Sequence, residues 1–352
     1  MPLTISAPDS LRMSVEAASG GLNTVLYTAK GQPCYMRVVP KFNVQDIDAS
    51  LGTGVHPAFV VNGIEKTELF IGQHIGTSLN GEMLSLPGRD PIASINHDSA
   101  VALARANGNG WHVMTNAEWA AIQLWCWKNG FQPRGNTNFG SSSDATWEQG
   151  RRQDGVAPGT NSGSARTLTG SGPASWRHDA TPAGIADLAG NVWEWAPGMR
   201  MVAGEIQVIP NNDAARNVID LSATSSAWQA IDGATGAFVA PGHANAVKYG
   251  TSGTAAYTLV RNSGGTFEGI TNPGTTPVAE AALQVLKRYG LFPVANTGLG
   301  GDAIYMTLTD ERLPSRGGSW YNGSAAGVFA LFLNYPRSNA STSIGARPAF
   351  VI

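Results

Sequence analysis

The chain has 352 residues, of which 42% are hydrophobic and only 14% charged, with 43 Gly and 20 Pro. That balance supplies a real core within a turn-rich fold of many short strands, and it excludes a helical bundle. Lys+Arg 23 against Asp+Glu 25 leaves no basic footprint for nucleic acid.

Cys34 and Cys126 stand far apart and outside any Cys/His cluster, which argues against a zinc site or a disulfide scaffold. A single bridge between them, or two buried thiols, both remain open. The first residues, Met1-Pro2-Leu3-Thr4-Ile5, show no basic stretch before an apolar run. No segment reaches the ~18 apolar residues of a membrane span. The expectation is synthesis in a cytoplasm without an export signal and without membrane insertion. If the protein works outside a cell, another assembly carries it there.

Within residues 1–50, Leu11-Arg12-Met13-Ser14-Val15, Thr24-Val25-Leu26-Tyr27 and Cys34–Val39 alternate apolar and polar positions between glycines, and each reads as a short strand. They predict a small β-rich N-terminal region for attachment or oligomerisation, with a boundary near 40–50. A ligand-binding domain over 51–352 would follow. Within it, 58–61 and 67–72 read as a hairpin turning at Asn62-Gly63. A helix is expected at about 98–106, capped by Asn96 or Asp98. Thr115 and Glu118 form a capping box, and Trp119, Ile122 and Cys126 follow at helical spacing up to Asn129-Gly130.

Residues 135–181 are a Gly/Ser/Thr/Asn loop expected to pack around Trp147 and Trp176. In Gly184-Ile185-Ala186-Asp187-Leu188-Ala189-Gly190-Asn191-Val192-Trp193-Glu194-Trp195 the Gly-Asn pair turns the chain into a short strand. An insertion at about 200–310 holds one helix, with Thr276 as cap and Pro277 at its first position.

None of the six histidines forms an HxH or HxxxH pair, and no GxSxG elbow, Walker loop or Rossmann fingerprint occurs. Asp187, Asn191 and Glu194 offer oxygens on a tight turn, either for Ca2+ or for hydrogen bonds and a buried ion pair.

The C-terminal stretch is different in kind. Arg316-Gly317-Gly318-Ser319-Trp320 and Ile344-Gly345-Ala346-Arg347 enclose residues 321–343, where Tyr321, Phe329, Phe332 and Tyr335 stand among Asn, Ser, Gly and Ala. Rigid aromatics among small polar residues make up an adaptable contact surface. Between Tyr321 and Ile344 there is no Lys, Glu, Gln, Met or Trp, the five residues that pyrimidine-ended codons cannot encode. Asn codons randomised at their adenines would leave that gap.

Several of these stretches resemble known families. Met114-Thr115-Asn116-Ala117-Glu118-Trp119, the Gly-Asn-Val-Trp-Glu-Trp turn, Arg-Gly-Gly-Ser-Trp and Ile-Gly-Ala-Arg are similar, in order, to motifs of formylglycine-generating enzymes and sulfatase-modifying factors. The resemblance implies an α+β, C-type-lectin-like fold with two main helices, short antiparallel strands and long loops. The enzymes' redox cysteines match Asn322 and Gly327 here, so no enzyme activity is expected.

Gly-Gly-Ser-Trp, an Asn-rich segment and Ile-Gly-Ala-Arg-Pro-Ala-Phe together resemble the variable proteins of diversity-generating retroelements, phage tropism determinants among them. The resemblance implies a variable region over 320–344 whose contact residues are Tyr321, Asn322, Ala325, Phe332, Asn334, Tyr335, Ala340, Ser341, Thr342 and Ser343. Ser324 and Ser338 join them as polar surface positions. It also implies a homotrimer at a phage tail-fibre tip, in the virion, that meets other tail-fibre proteins and binds a bacterial surface protein or glycan. No cofactor is required, and Asn191 and Glu194 are offered as a Ca2+ site. A bacterial surface adhesin of the same family and a sulfatase-modifying enzyme are the alternatives.

Overall fold

A computed structural model describes residues 9–352. Its main sheet runs Asn23–Tyr27, Pro33–Pro40, Glu68–Gly72, Pro348–Phe350, Trp111–Val113, with every neighbour antiparallel. The C-terminal strand is therefore the fourth of five, an interior strand between an early one and a middle one. The expected boundary at 40–50 is crossed by this sheet. Met36 to Pro40 pair with Gly72 to Glu68 over five positions, so the N-terminal hairpin and the larger domain share one ladder.

Residues 11–15 also depart from expectation. They lie in a helix, Ser10–Ser19, capped by Asp9, which accepts from the Arg12 N–H at 3.0 Å, and closed by Gly20 at φ 63°. Leu11 and Val15 are two strand periods apart but also one helical turn apart, so the same residues satisfy both patterns. The caps decide between them.

The Asn62-Gly63 turn forms as read, with both residues at positive φ (54° and 71°), but it joins only Val60–Val61 to Ile64–Glu65. Glu68–Gly72 leaves the hairpin for the main sheet. His97–Arg105 is the helix expected at about 98–106, and Asn96 caps it through the Ser99 N–H.

Asn116–Lys128 begins with the complete capping box. The Glu118 N–H donates to Thr115 Oγ1 at 3.2 Å and the Thr115 N–H to Glu118 Oε2 at 2.8 Å. Ten of its 13 residues are buried, because sheet, insertion and C-terminal segment enclose it. Trp176 is buried at the centre of the long loop, whereas Trp147 is 79% exposed and anchors nothing.

The insertion is part of the same core. Its sheet contains Met199–Val202, which straddles its start, and Glu311–Arg312, just past its end, and Ile206, Leu259, Leu286 and Leu299 pack in one cluster with Trp119 and Phe329. Its helix starts later than expected, at Glu280, after an Ala279 cap. The Asn272 side chain holds both the N–H and the C=O of Val278 at 2.9 Å, and Thr276 and Pro277 lie ahead of the helix.

A third sheet carries the C-terminal segment: Ile304–Met306, Leu331–Leu333, Ser315–Arg316, Trp193–Trp195, Ile344–Gly345. Among the described residues no helix is long and apolar enough to cross a membrane.

Candidate ligand-binding surface

Register decides what this third sheet presents. Tyr305, Phe332, Ser315 and Trp195 lie opposite one another across four strands, so their side chains leave on one face. Ile304, Leu331, Arg316 and Glu194 leave on the other, where all four are buried.

That inner face fixes the two ends of the segment. Arg316 donates from Nε and Nη2 to Asn116 Oδ1 (3.1 and 2.7 Å) and from Nη2 to the Gly290 carbonyl at 2.9 Å, and burial pushes its pKa down to about 9. Arg347 grips Glu194 with two bonds (2.9 and 2.7 Å) and donates to the Gly72 and Ala186 carbonyls, both at 2.9 Å. One guanidinium thus ties the third sheet to the main one. Burial raises the Glu194 carboxyl above its ordinary range, and Arg347 opposes that rise. Gly317 and Gly318 turn the chain at φ 88° and 92°, and a Cβ on Gly318 would stand 2.3 Å from that of Ala326.

The expected contact residues fall into three groups. Phe332 and Tyr335 meet at 4.5 Å between ring centroids, and Phe332 also lies 5.1 Å from Trp193, reaching it over the small Ser315 of the intervening strand. Asn334 beside them accepts from the Thr307 hydroxyl at 3.1 Å. Ser338, Ala340 and Thr342 are exposed, with Ser341 half-buried, on a loop held at several points. Arg337 pairs with Asp98 (2.6 Å) and Glu311 (3.1 Å), the Ser94 N–H donates to the Ser341 carbonyl, and Arg166 donates to that of Thr342.

Asn322, Ser324 and Ala325 form the third group, on or beside the Gly323–Ala325 turn, which is tied to Thr137 and Ala303. Tyr321, 49% exposed, bridges to the loop through its hydroxyl, 3.1 Å from Ser343 Oγ. Two of the expected surface positions turn inward. Ser343 is buried beneath Tyr321 and Ser341, and the Asn322 side chain accepts from the backbone and hydroxyl of Ser319 (2.8 and 2.7 Å).

Sequence reasoning missed Trp193 and Tyr305 as members of this face. Tyr305 comes from the insertion, and its ring lies 5.3 Å from that of Phe332. Alternation within Trp193-Glu194-Trp195 could have placed both tryptophans on the outer face; nothing local marks Tyr305.

The Ca2+ reading does not fit these residues. Both Glu194 oxygens are held by Arg347, and Asn191 Oδ1 accepts from the Thr167 N–H at 2.9 Å while its amide donates back to the Thr167 carbonyl. Asp187 accepts from the Gly170 N–H, and burial raises its pKa.

Of the two positions matching the redox cysteines, Gly327 is closed as well. A Cβ on Gly327 would lie 2.1 Å from Asp302 Oδ1. The buried Asp302 carboxyl from the insertion occupies that space and accepts from the Phe329 N–H at 2.7 Å.

Comparison with known proteins places this geometry. The family model for the sulfatase-modifying factor enzyme 1-like domain matches residues 54–232. No curated protein matches the chain. Among solved structures the chain is similar to Treponema denticola variable protein 1, at 13% identity over 94% of this chain and 99% of that one, with a TM-score of 0.35. At that score the likeness carries no argument. The family match takes in just over half of the chain, including the capping-box helix and the Gly-Asn-Val-Trp-Glu-Trp turn, and the chain therefore belongs to the family of sulfatase-modifying factor enzyme 1-like domains, α+β in architecture and C-type-lectin-like in fold.

Proposed function

We propose that the chain is a non-enzymatic ligand-binding protein whose contact residues are diversified, and that it recognises a bacterial cell-surface molecule from the tip of a phage tail fibre. One observation carries this reading. Within a single segment, residues 327–331 and Leu333 are buried, while Tyr321, Ser324, Ser338, Ala340 and Thr342 project to solvent and Phe332, Asn334 and Tyr335 are half-exposed. A fixed backbone with exchangeable tips can change its ligand without changing its fold. The missing Lys, Glu, Gln, Met and Trp in the same window agree with randomisation of Asn codons. The Asp302 carboxyl at Gly327 supports the absence of redox chemistry. Assembly as a homotrimer with other tail-fibre proteins belongs to the same proposal.

The test is genetic. DNA flanking the gene should hold a near-copy of its 3′ end that differs at adenines, beside a reverse-transcriptase gene. Identical 321–343 sequences across many sibling isolates, with no such copy, would sink the reading.

A further inference from the structure

We propose that the ligand face has a constant part, that Tyr305 of the insertion is its fixed contact residue, and that the aromatic ridge of Tyr305, Phe332 and Tyr335 seats in an apolar pocket of a protein partner. The inference rests on the reading of the face given above, and it assigns the insertion a role in binding.

Tyr305 is placed by a parallel ladder. Ile304, Tyr305 and Met306 pair with Leu331, Phe332 and Leu333, so any residue installed at 332 meets the Tyr305 ring. Trp193 lies beneath both, 6.3 Å from Tyr305 and 5.1 Å from Phe332, and is itself buried. The next residue but one, Thr307, orients Asn334 through its hydroxyl. One edge strand from the insertion thus touches two of the variable positions.

Ring geometry favours a protein over a sugar. Phe332 is inclined at 50° to Trp193, 49° to Tyr305 and 44° to Tyr335. None of the three neighbours lies coplanar with Phe332, as suits a ridge that inserts rather than a flat platform on which a pyranose stacks. The nearby charges agree with this. Both arginines that bond the 337–342 loop are already paired, Arg337 with Asp98 and Glu311 and Arg166 with Asp90, which disfavours an anionic glycan. Tyr beside Phe, ringed by small polar residues, is the make-up of an anchor in a protein interface.

The test presents the full chain to a phage-displayed library of cyclic peptides and, separately, to an array of bacterial surface glycans. The expected result is enrichment of peptides carrying a large apolar residue. Their binding should weaken about tenfold or more in Tyr305→Ala and in Phe332→Ala, and stay near wild type in Tyr305→Phe. Thermal melting of each variant separates lost contact from lost fold, and Tyr305→Phe retains the ring.

Peptide binding that is lost in Phe332→Ala but intact in Tyr305→Ala overturns this proposal and leaves the reading of the variable face standing. Binding indifferent to both variants sinks the two together. Glycan binding without peptide enrichment, or no enrichment on either probe, overturns the protein partner.

Discussion

Asp302 has the clearest expected pH signature of any single residue. It is buried, burial raises its carboxyl to a pKa of about 8, and Glu268 and Asp144 push it the same way against the bond from the Phe329 N–H. The folded state therefore holds this proton above the ordinary carboxyl value of 3.8, which the unfolded chain keeps. The stabilisation is fully present below pH 3.8 and is lost as pH rises to about 8. Asp302→Asn, which mimics the protonated form, should match wild type near the bottom of that range and exceed it increasingly toward the top. Urea unfolding across the range checks this, and a variant that gains nothing with pH would refute it.

Tyr321 and Phe332 separate contact from packing at the same scale. Tyr321 is 49% exposed, so Tyr321→Ala should change stability by less than about 0.5 kcal/mol. Phe332 packs on three rings, and Phe332→Ala should cost about 2 kcal/mol, below the range for a fully buried Phe. Equal losses for the two in chemical denaturation would contradict this placement.

Among the elements, the two ends of the 321–343 segment depend on features that tolerate little change. A Cβ on Gly318 meets Ala326 within a backbone conformation open mainly to glycine, so Gly318→Ala should destabilise by at least about 2 kcal/mol. Breaking the Arg347–Glu194 pair leaves a buried charge without its partner, and Arg347→Met should cost about 3–5 kcal/mol in equilibrium unfolding. A near-neutral Arg347→Met would show that the pair is not what joins the two sheets. The Thr115 capping box was legible in the chain because it is local: both reciprocal bonds span three residues. The helix Ser10–Ser19 was not, because Leu11 and Val15 fit either period, Met13 fits only that of a strand, and the caps, Asp9 and Gly20, lie outside the apolar pattern.

For the molecule as a whole, the ion pair between Glu194 and Arg347 does the work once offered to a cation, holding two sheets together across 153 residues of chain. EDTA should therefore leave the melting temperature unchanged within about 1 °C. A larger drop, restored by Ca2+, would show that a site exists elsewhere.

What the sequence determined by itself is what neighbours in the chain can determine. The capping box, the Asn62-Gly63 turn, the glycine turns flanking Trp320, the family motifs and the compositional gap over 321–343 are all short-range signals, read without knowing what packs against them. Only the tertiary structure decided the rest. The N-terminal hairpin belongs to the main sheet because Pro33–Pro40 finds its partner at Glu68–Gly72. Ser343 is covered because Tyr321 folds over it. Tyr305 joins the face that carries Phe332 because a parallel ladder sets the two opposite each other. Each of these depends on register and burial between segments distant in the chain. A strand's own residues set its period but not its partner, so no local pattern could place them.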